Sequence, residues 1–257
     1  METDSERRAL AYLAKDPLLH LNMTEAIRCG AAKLLRVTEK SVLLYSTAGR
    51  VCMASAADPA EAERLAGACK PQELYAVCRP FLADALTARF GLVKGMECRQ
   101  AAYLGRAPLP EPQSPAFIRP LDERHLPFIR AHYNIVDSPG YLRGLLRAGG
   151  VLGAFVPGDP LPAGFIGMHA EGTIGMLQVL PQYRRRGIAL ALEVRMVNRF
   201  LARGKIPFAQ IAVGNTASMC LQRKLGFSIS DRSIFWLSEE RPAETVDSGA
   251  PARYPDT

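Results

Sequence analysis

Long apolar runs are missing from this 257-residue chain. No stretch approaches the roughly 18 consecutive apolar residues of a membrane span, so no role within a bilayer is expected. Met1–Arg8 is charged and lacks the apolar centre of a secretion signal, which points to the cytoplasm. Cys-x-x-Cys pairs are missing too. The six cysteines are Cys29, Cys52, Cys69, Cys78, Cys98 and Cys220, five of them irregularly spaced in the first half. Buried free thiols are therefore expected in place of disulfides or a metal centre. Histidine is scarce: His20 lies between leucines, and His125 and His132 are seven apart on one expected helix, where a chelating pair needs four. No metal site is expected.

A basic stripe interleaved with aromatics is also absent, although the net charge is +7. Up to Ala116 there are 15 Lys and Arg against 13 Asp and Glu, and from Phe117 onward 17 against 12. A single turn, Arg184-Arg185-Arg186, holds much of that second excess. Such a distribution suits a polyanionic small molecule better than a nucleic acid, and no nucleic-acid partner is expected.

That turn belongs to the stretch around which the chain is organised, Met176 to Ala189. Met176–Leu180 is a short apolar run suited to a buried strand, and Pro181, with no N–H to give a ladder, should end it. From Ile188 the pattern turns helical: Ile188, Leu192, Val194–Met196 and Leu201 fall near one stripe, with charges between them. Between strand and helix come three arginines, Gly187, Ile188 and Ala189. A helix N-terminus has unpaired N–H groups and the positive end of a dipole. Small residues let a ligand approach that backbone, and the arginines add forked donors. The physical reading is a pyrophosphate cradle.

Arg184, Gly187 and Ala189 match the Arg/Gln-x-x-Gly-x-Gly/Ala signature of the GNAT superfamily of acyl-CoA-dependent N-acyltransferases, after a strand ending in Val179 and Pro181. A second GNAT-like motif follows in order, from Asn215 through Ser218, Gln222 and Lys224 to Phe227. The chain therefore resembles that superfamily over Phe117–Leu237, and within it the glycine N-acyltransferase-like branch. The resemblance implies acetyl-CoA as cofactor, a splayed strand whose backbone at Leu177 and Val179 faces the thioester while Gln178 points to the other face, and a pyrophosphate held by Arg184, Arg185, Arg186, Gly187, Ile188 and Ala189. It places Asn215 near the pantetheine or as a helix cap, with Ser218 beside it. It also implies an acceptor site lined by the first two helices, with Tyr133, Asp137 and Tyr141 as pocket residues.

The expected fold class is α/β (α+β) with a mixed sheet: a GNAT fold over residues 117–238, preceded by a smaller α+β domain over 1–106 with the element order of a degenerate GNAT-like half. Residues 107–116 carry Pro108, Pro110, Pro112 and Pro115, a semi-rigid linker, and 239–257 reads as a disordered tail. In the first domain, helices are expected up to Leu13, over Leu18–Ile27, after an Asp58 cap with Pro59 at the first position, and over Phe81–Phe90. Strands are expected at Lys33–Val37, Ser41–Ser46, Val51–Ala54, Glu73–Val77 and Met96–Tyr103. This domain has no phosphate turn; its expected work is to cover the catalytic sheet and shape the acceptor side.

An amine must lose a proton before it attacks a thioester, so a base is needed. Glu171 is the only carboxylate between Asp159 and Glu193 and is the first candidate, with His169 second. If the strand ran straight, His169, Glu171, Thr173, Gly175, Leu177 and Val179 would share one face. The resemblance implies a base at about Thr173, which cannot serve. It also implies a tyrosine, as general acid, where Gln222 stands, so Ser218, Cys220 or water must substitute unless no acid is needed. The leading expectation is an N-acetyltransferase acting by direct attack of a primary amine on acetyl-CoA. Its acceptor is a small-molecule amine or amino-acid-like compound, or a peptide or protein. The alternatives are a non-catalytic acyl-CoA-binding or regulatory protein, and a nucleic-acid-binding module using the basic turn.

Overall fold

Capping residues set most of the boundaries. The structure, a computed structural model, describes residues 3–133 and 138–239. From the N-terminus run α1 (Asp4–Leu13), α2 (Leu21–Arg28), β1 (Ala32–Val37), β2 (Ser41–Ser46), β3 (Val51–Ala56), α3 (Pro59–Ala68), β4 (Leu74–Cys78), α4 (Pro80–Phe90) and β5 (Val93–Ala102). Then follow β6 (Phe117–Pro120), a 3₁₀ turn, α5 (Leu126–His132), α6 (Pro139–Arg147), β7 (Val151–Phe155), β8 (Gly164–Met168), β9 (Ile174–Val179), α7 (Ile188–Leu201), β10 (Phe208–Ala212), α8 (Thr216–Lys224) and β11 (Ser228–Ser238). After β6, the second half repeats the order of the first: two helices, three strands, helix, strand, helix, strand.

Asp58 accepts the Glu61 N–H with Pro59 at the first helical position, and Ser138 accepts the Tyr141 N–H ahead of Pro139. Both caps were legible. At the start of α1 the cap is Thr3, one residue before the expected Asp4-Ser5, because Thr3 and Glu6 close a reciprocal capping box.

The chain divides into two compact units. Of the described residues, the first holds 3–101, 210–223 and 228–239; the second holds 102–133, 138–209 and 224–227. The units are thus not the two contiguous blocks expected from the sequence. The reason is β11, which pairs antiparallel with β4 from Ile234↔Cys78 to Ser238↔Leu74, carrying the C-terminal strand into the first unit.

In the first unit the strand order is β1-β2-β3-β4-β11-β5. Its sheet is covered on both faces, as the period of two requires. Leu43, Cys52, Ala54, Tyr75 and Val77 meet α3 and α4 through Leu65, Leu82 and Leu86. Val42, Leu44, Met53, Ala76 and Cys78 meet α1 and α2 through Leu13 and Met23. Each such fully buried aliphatic side chain contributes about 1.5–3 kcal/mol relative to exposure. Cys52, Cys69, Cys78 and Cys98 are buried free thiols as expected, and burial pushes Cys52, Cys78 and Cys98 up to about 12. Cys29 and Cys220 depart from the expectation: both are exposed, one capping the end of α2 and the other on the outer side of α8.

In the second unit β6 to β9 form an antiparallel meander, and β9 pairs in parallel with the start of β10. Helices α5 and α6 pack on one face around Phe128, Leu142, Phe165 and Met176. The Pro-rich segment belongs to this unit and is held in place. Asn198 on α7 takes both the N–H and the carbonyl of Leu109, at 2.7 and 2.8 Å, and Arg195 pairs with Glu111 at 3.0 Å.

Candidate functional site

Strand β9 is built irregularly. Against β8 its register runs Met168↔Ile174, Gly167↔Gly175, then Phe165↔Gln178 and Gly164↔Val179, so β9 carries one extra residue at Met176-Leu177. Met176, in the bulge, takes the left-handed conformation, φ 55°, rare for a residue with a side chain. On its other edge β9 pairs with β10 at Ala209↔Ile174, the single register pair among the described residues. Leu180 donates to Ala163 O at 2.9 Å, so by alternation the N–H groups of Val179 and Leu177 point away from β8. The bulge and the lone bridge give that edge of β9 free donors. Leu177, Gln178 and Val179 are all half-buried.

The turn after β9 places further donors. Arg184 bends back, its Nε donating to Val179 O at 3.2 Å, which makes it a brace for the strand end. Arg185 has φ 62° and Gly187 has φ 79°, with no positive φ at Arg186 between them. Alternation of this kind turns successive N–H groups toward one side, the geometry of an anion-binding nest. Gly187 caps α7 with no side-chain acceptor, and the first bond of the helix is Ala191 N–H to Gly187 O at 3.0 Å. The N–H groups of Ile188 and Ala189 are therefore left for a ligand. A Cβ on Gly187 would lie 3.1 Å from Gln113 O, so both backbone conformation and close approach demand glycine there. Arg185 and Arg186 are exposed, and the Arg186 guanidinium lies 5.8 Å from the Tyr183 ring. Ile188 is buried and anchors the helix start. The arrangement fits a diphosphate: donors converge, the dipole is uncapped, and two arginines flank it.

The base candidates meet at the β8–β9 turn, though not as a straight strand. His169 N–H donates to Thr173 O at 2.8 Å and Gly172 N–H to His169 O at 2.9 Å, so residues 169–173 form a closed hairpin turn. With the bulge at Met176, this breaks the single face expected from His169 to Val179. The turn is held by Tyr141, whose Oη accepts the Ala170 N–H at 3.1 Å and lies 3.1 Å from His169 Nδ1. The His169 ring covers Gly175: a Cβ there would lie 2.6 Å from Nε2. Glu171 is half-buried and accepts the Thr173 hydroxyl at 2.9 Å. Burial, and then the Glu171 charge, push the Tyr141 hydroxyl up to about 12. The grip of Tyr141 on His169 was not legible in the sequence, because nothing local links positions 28 apart.

Tyr133 is only 6% exposed and belongs to the cluster that contains Phe128 and Leu142. Asp137 lies outside the described residues. Asn215 and Ser218 fall in the first unit, where Asn215 Oδ1 accepts the Ser218 N–H at 2.9 Å and caps α8. Gln222 is buried on the same helix. Among the described residues no group of three or more His, Cys, Asp or Glu side chains could hold a metal ion. No helix among them is long and apolar enough to cross a membrane.

Similarity to known proteins bears on the fold. A family model described as FR47-like protein matches residues 160–236. A Drosophila protein of known structure is 18% identical, with a TM-score of 0.65 over 93% of this chain and 96% of its own. A putative GNAT-family acetyltransferase from Novosphingobium aromaticivorans is 18% identical, with a TM-score of 0.53 over 89% of this chain and 99% of its own. A GCN5-related N-acetyltransferase from Kribbella flavida is 14% identical, with a TM-score of 0.55 over 88% and 96%. The chain has the GNAT fold. No curated protein is significantly similar to it in sequence. The FR47-like match opens in the β7–β8 connection and closes in β11, so it takes in the bulged strand, the arginine turn, α7 and α8 of the GNAT fold.

Proposed function

We propose that the chain is an acyl-CoA-dependent N-acyltransferase that moves an acetyl group from acetyl-CoA to a primary amine. The observation that carries this reading is the uncapped start of α7 following directly on a β9 edge with free N–H groups. Acetyl-CoA supplies, when bound, an activated thioester carbonyl. The backbone N–H groups from Arg185 to Ala189, with the Arg185 and Arg186 side chains, would hold its diphosphate. Arg184 keeps the end of β9 in position through Val179 O. The N–H groups of Leu177 and Val179 are fixed donors, and one such donor aimed at developing negative charge is worth about 3 kcal/mol of barrier.

Glu171 takes the proton from the acceptor amine. The Tyr141 hydroxyl already receives the Ala170 N–H, and its high pKa keeps its own proton in place. Donation of that proton to His169 Nδ1 satisfies all three groups and leaves the hydrogen of neutral His169 on Nε2. His169 is then a donor, and the carboxylate beside it is the acceptor. The amine is a small, amino-acid-like compound, with peptide amines as the competing class. Buried Thr173 and Gln222, neither of which can move a proton, favour a second reading as a non-catalytic acyl-CoA-binding protein.

Release of free thiol from acetyl-CoA, followed across a panel of amines and amino acids, separates the two. Amine-dependent turnover supports the transferase. Saturable acetyl-CoA binding without turnover on any amine supports the binding protein, and absence of binding removes both.

A further inference from the structure

The first unit holds a cavity of about 500 Å³ that the reading above does not use, lined by Arg79, Phe81, Glu97, Arg232, Ser233 and Phe235. We propose that it binds a small organic anion with an apolar body, a carboxylate on an aromatic or short aliphatic stem. Its size is that of a small-molecule site. Phe81 and Phe235 supply flat apolar walls, and Arg79 and Arg232 supply forked cationic donors.

Arg79 carries the argument. Its Nε is buried and has no hydrogen-bond partner, an expensive state for a guanidinium donor. The Asp16 carboxylate serves the neighbouring groups unevenly: it bonds Arg232 at 2.9 Å but lies 3.8 Å from Arg79 Nη2. One carboxylate is thus shared between two guanidinium groups, and the more buried of these is the less satisfied. Glu97 accepts the Ser233 hydroxyl at 2.5 Å and makes no hydrogen bond to Arg79 Nε. Arg79 also stands at the N-cap of the eleven-residue helix α4, with no side-chain cap, so the positive end of that helix adds to the field. Its backbone has φ 102° and ψ 134°, a conformation that glycine adopts freely and other residues rarely do. An anion in the cavity would supply the second negative charge that the two guanidinium groups sharing Asp16 lack, and the two phenylalanines would cover its stem.

The test is a titration of sodium phenylacetate into the full chain, read by calorimetry and by thermal shift, beside the neutral isostere 2-phenylethanol. Saturable phenylacetate binding is expected, at least tenfold tighter than that of the alcohol. Arg232→Gln should weaken it tenfold or more. Arg79→Gly removes the guanidinium while suiting the backbone, so it should keep or raise the melting temperature and still lose binding. Ala189→Glu, at the phosphate turn of the second unit, should leave phenylacetate binding unchanged, which separates this site from the proposed cofactor site. Failure to saturate by 20 mM overturns the proposal, as does equal affinity for the alcohol or affinity within threefold of the parent in either arginine variant.

Discussion

The third strand of each repeat is followed by a helix, and the two junctions are built in opposite ways. In the first unit β3 pairs with β4 in parallel at four positions, Cys52↔Tyr75 to Ser55↔Cys78. Helix α3 then begins with Asp58, whose carboxylate accepts the Glu61 N–H at 2.9 Å and pairs with Lys40 at 3.1 Å, while Pro59 has no N–H to offer. The donors are satisfied from within and the local charge is negative, so an anion has nothing to bind. In the second unit β9 meets β10 at one pair, carries a bulge, and leads into a helix capped by a glycine that follows two exposed arginines. One order of elements therefore supports both a closed scaffold and an open binding edge. The difference lies in a few residues at the junction.

The largest expected effect breaks the open junction. Ala189→Glu places a carboxylate in the first turn of α7, where the helix dipole favours it but a diphosphate does not. Acetyl-CoA affinity should fall by about a hundredfold or more by calorimetry, with little change in melting temperature. Gly187 is a poorer probe, since its positive φ and the nearby Gln113 carbonyl make any side chain there a structural insult.

Next comes the proton. Glu171→Gln should lower turnover by about a hundredfold while sparing acetyl-CoA affinity. Raising the pH supplies neutral amine without a base, so the defect should shrink in alkali. Tyr141, pushed up to about 12, stays protonated through that range and does not confuse the profile. His169→Gln should show a smaller loss with no such rescue; the reverse pattern would move the base to His169.

Much of this molecule was legible in its sequence. The Asp58-Pro59 and Ser138-Pro139 starts carry their own local signals, as does the succession of short alternating strands. The arginine turn was legible because strand, turn and helix each obey a local rule. The bulge at Met176 was not, since a methionine at positive φ has no sequence signature and is imposed by its neighbours. The β4–β11 pairing was equally hidden, because it joins positions about 160 residues apart in the chain. The Pro-rich run predicted a spacer, but its polar neighbours Asn198 and Arg195 lie on a helix far along the chain and hold it there.

Smaller effects sharpen the closed junction. Glu61, 5% exposed, accepts hydrogen bonds from Ser41 at 2.6 Å, Thr38 at 3.1 Å and Arg64 at 2.9 Å. The Ser41 bond above all holds its carboxyl below the usual range. A depressed folded-state pKa contributes stability that is complete above the unfolded value and is lost as pH falls through the folded one. Glu61→Ala should therefore cost about 2 kcal/mol in denaturant unfolding at neutral pH, and the gap to the parent should narrow in acid. Asp58→Ala should cost about 1 kcal/mol as a lost cap, without creating a second cofactor site, because Pro59 and the closed β3–β4 pair remain.

The stoichiometry of acetyl-CoA binding tests the contrast between the two junctions most directly. Calorimetric titration of the full chain should give one site per chain, removed by Ala189→Glu and untouched by Asp58→Ala. Two sites, no site, or one site that survives Ala189→Glu would contradict it.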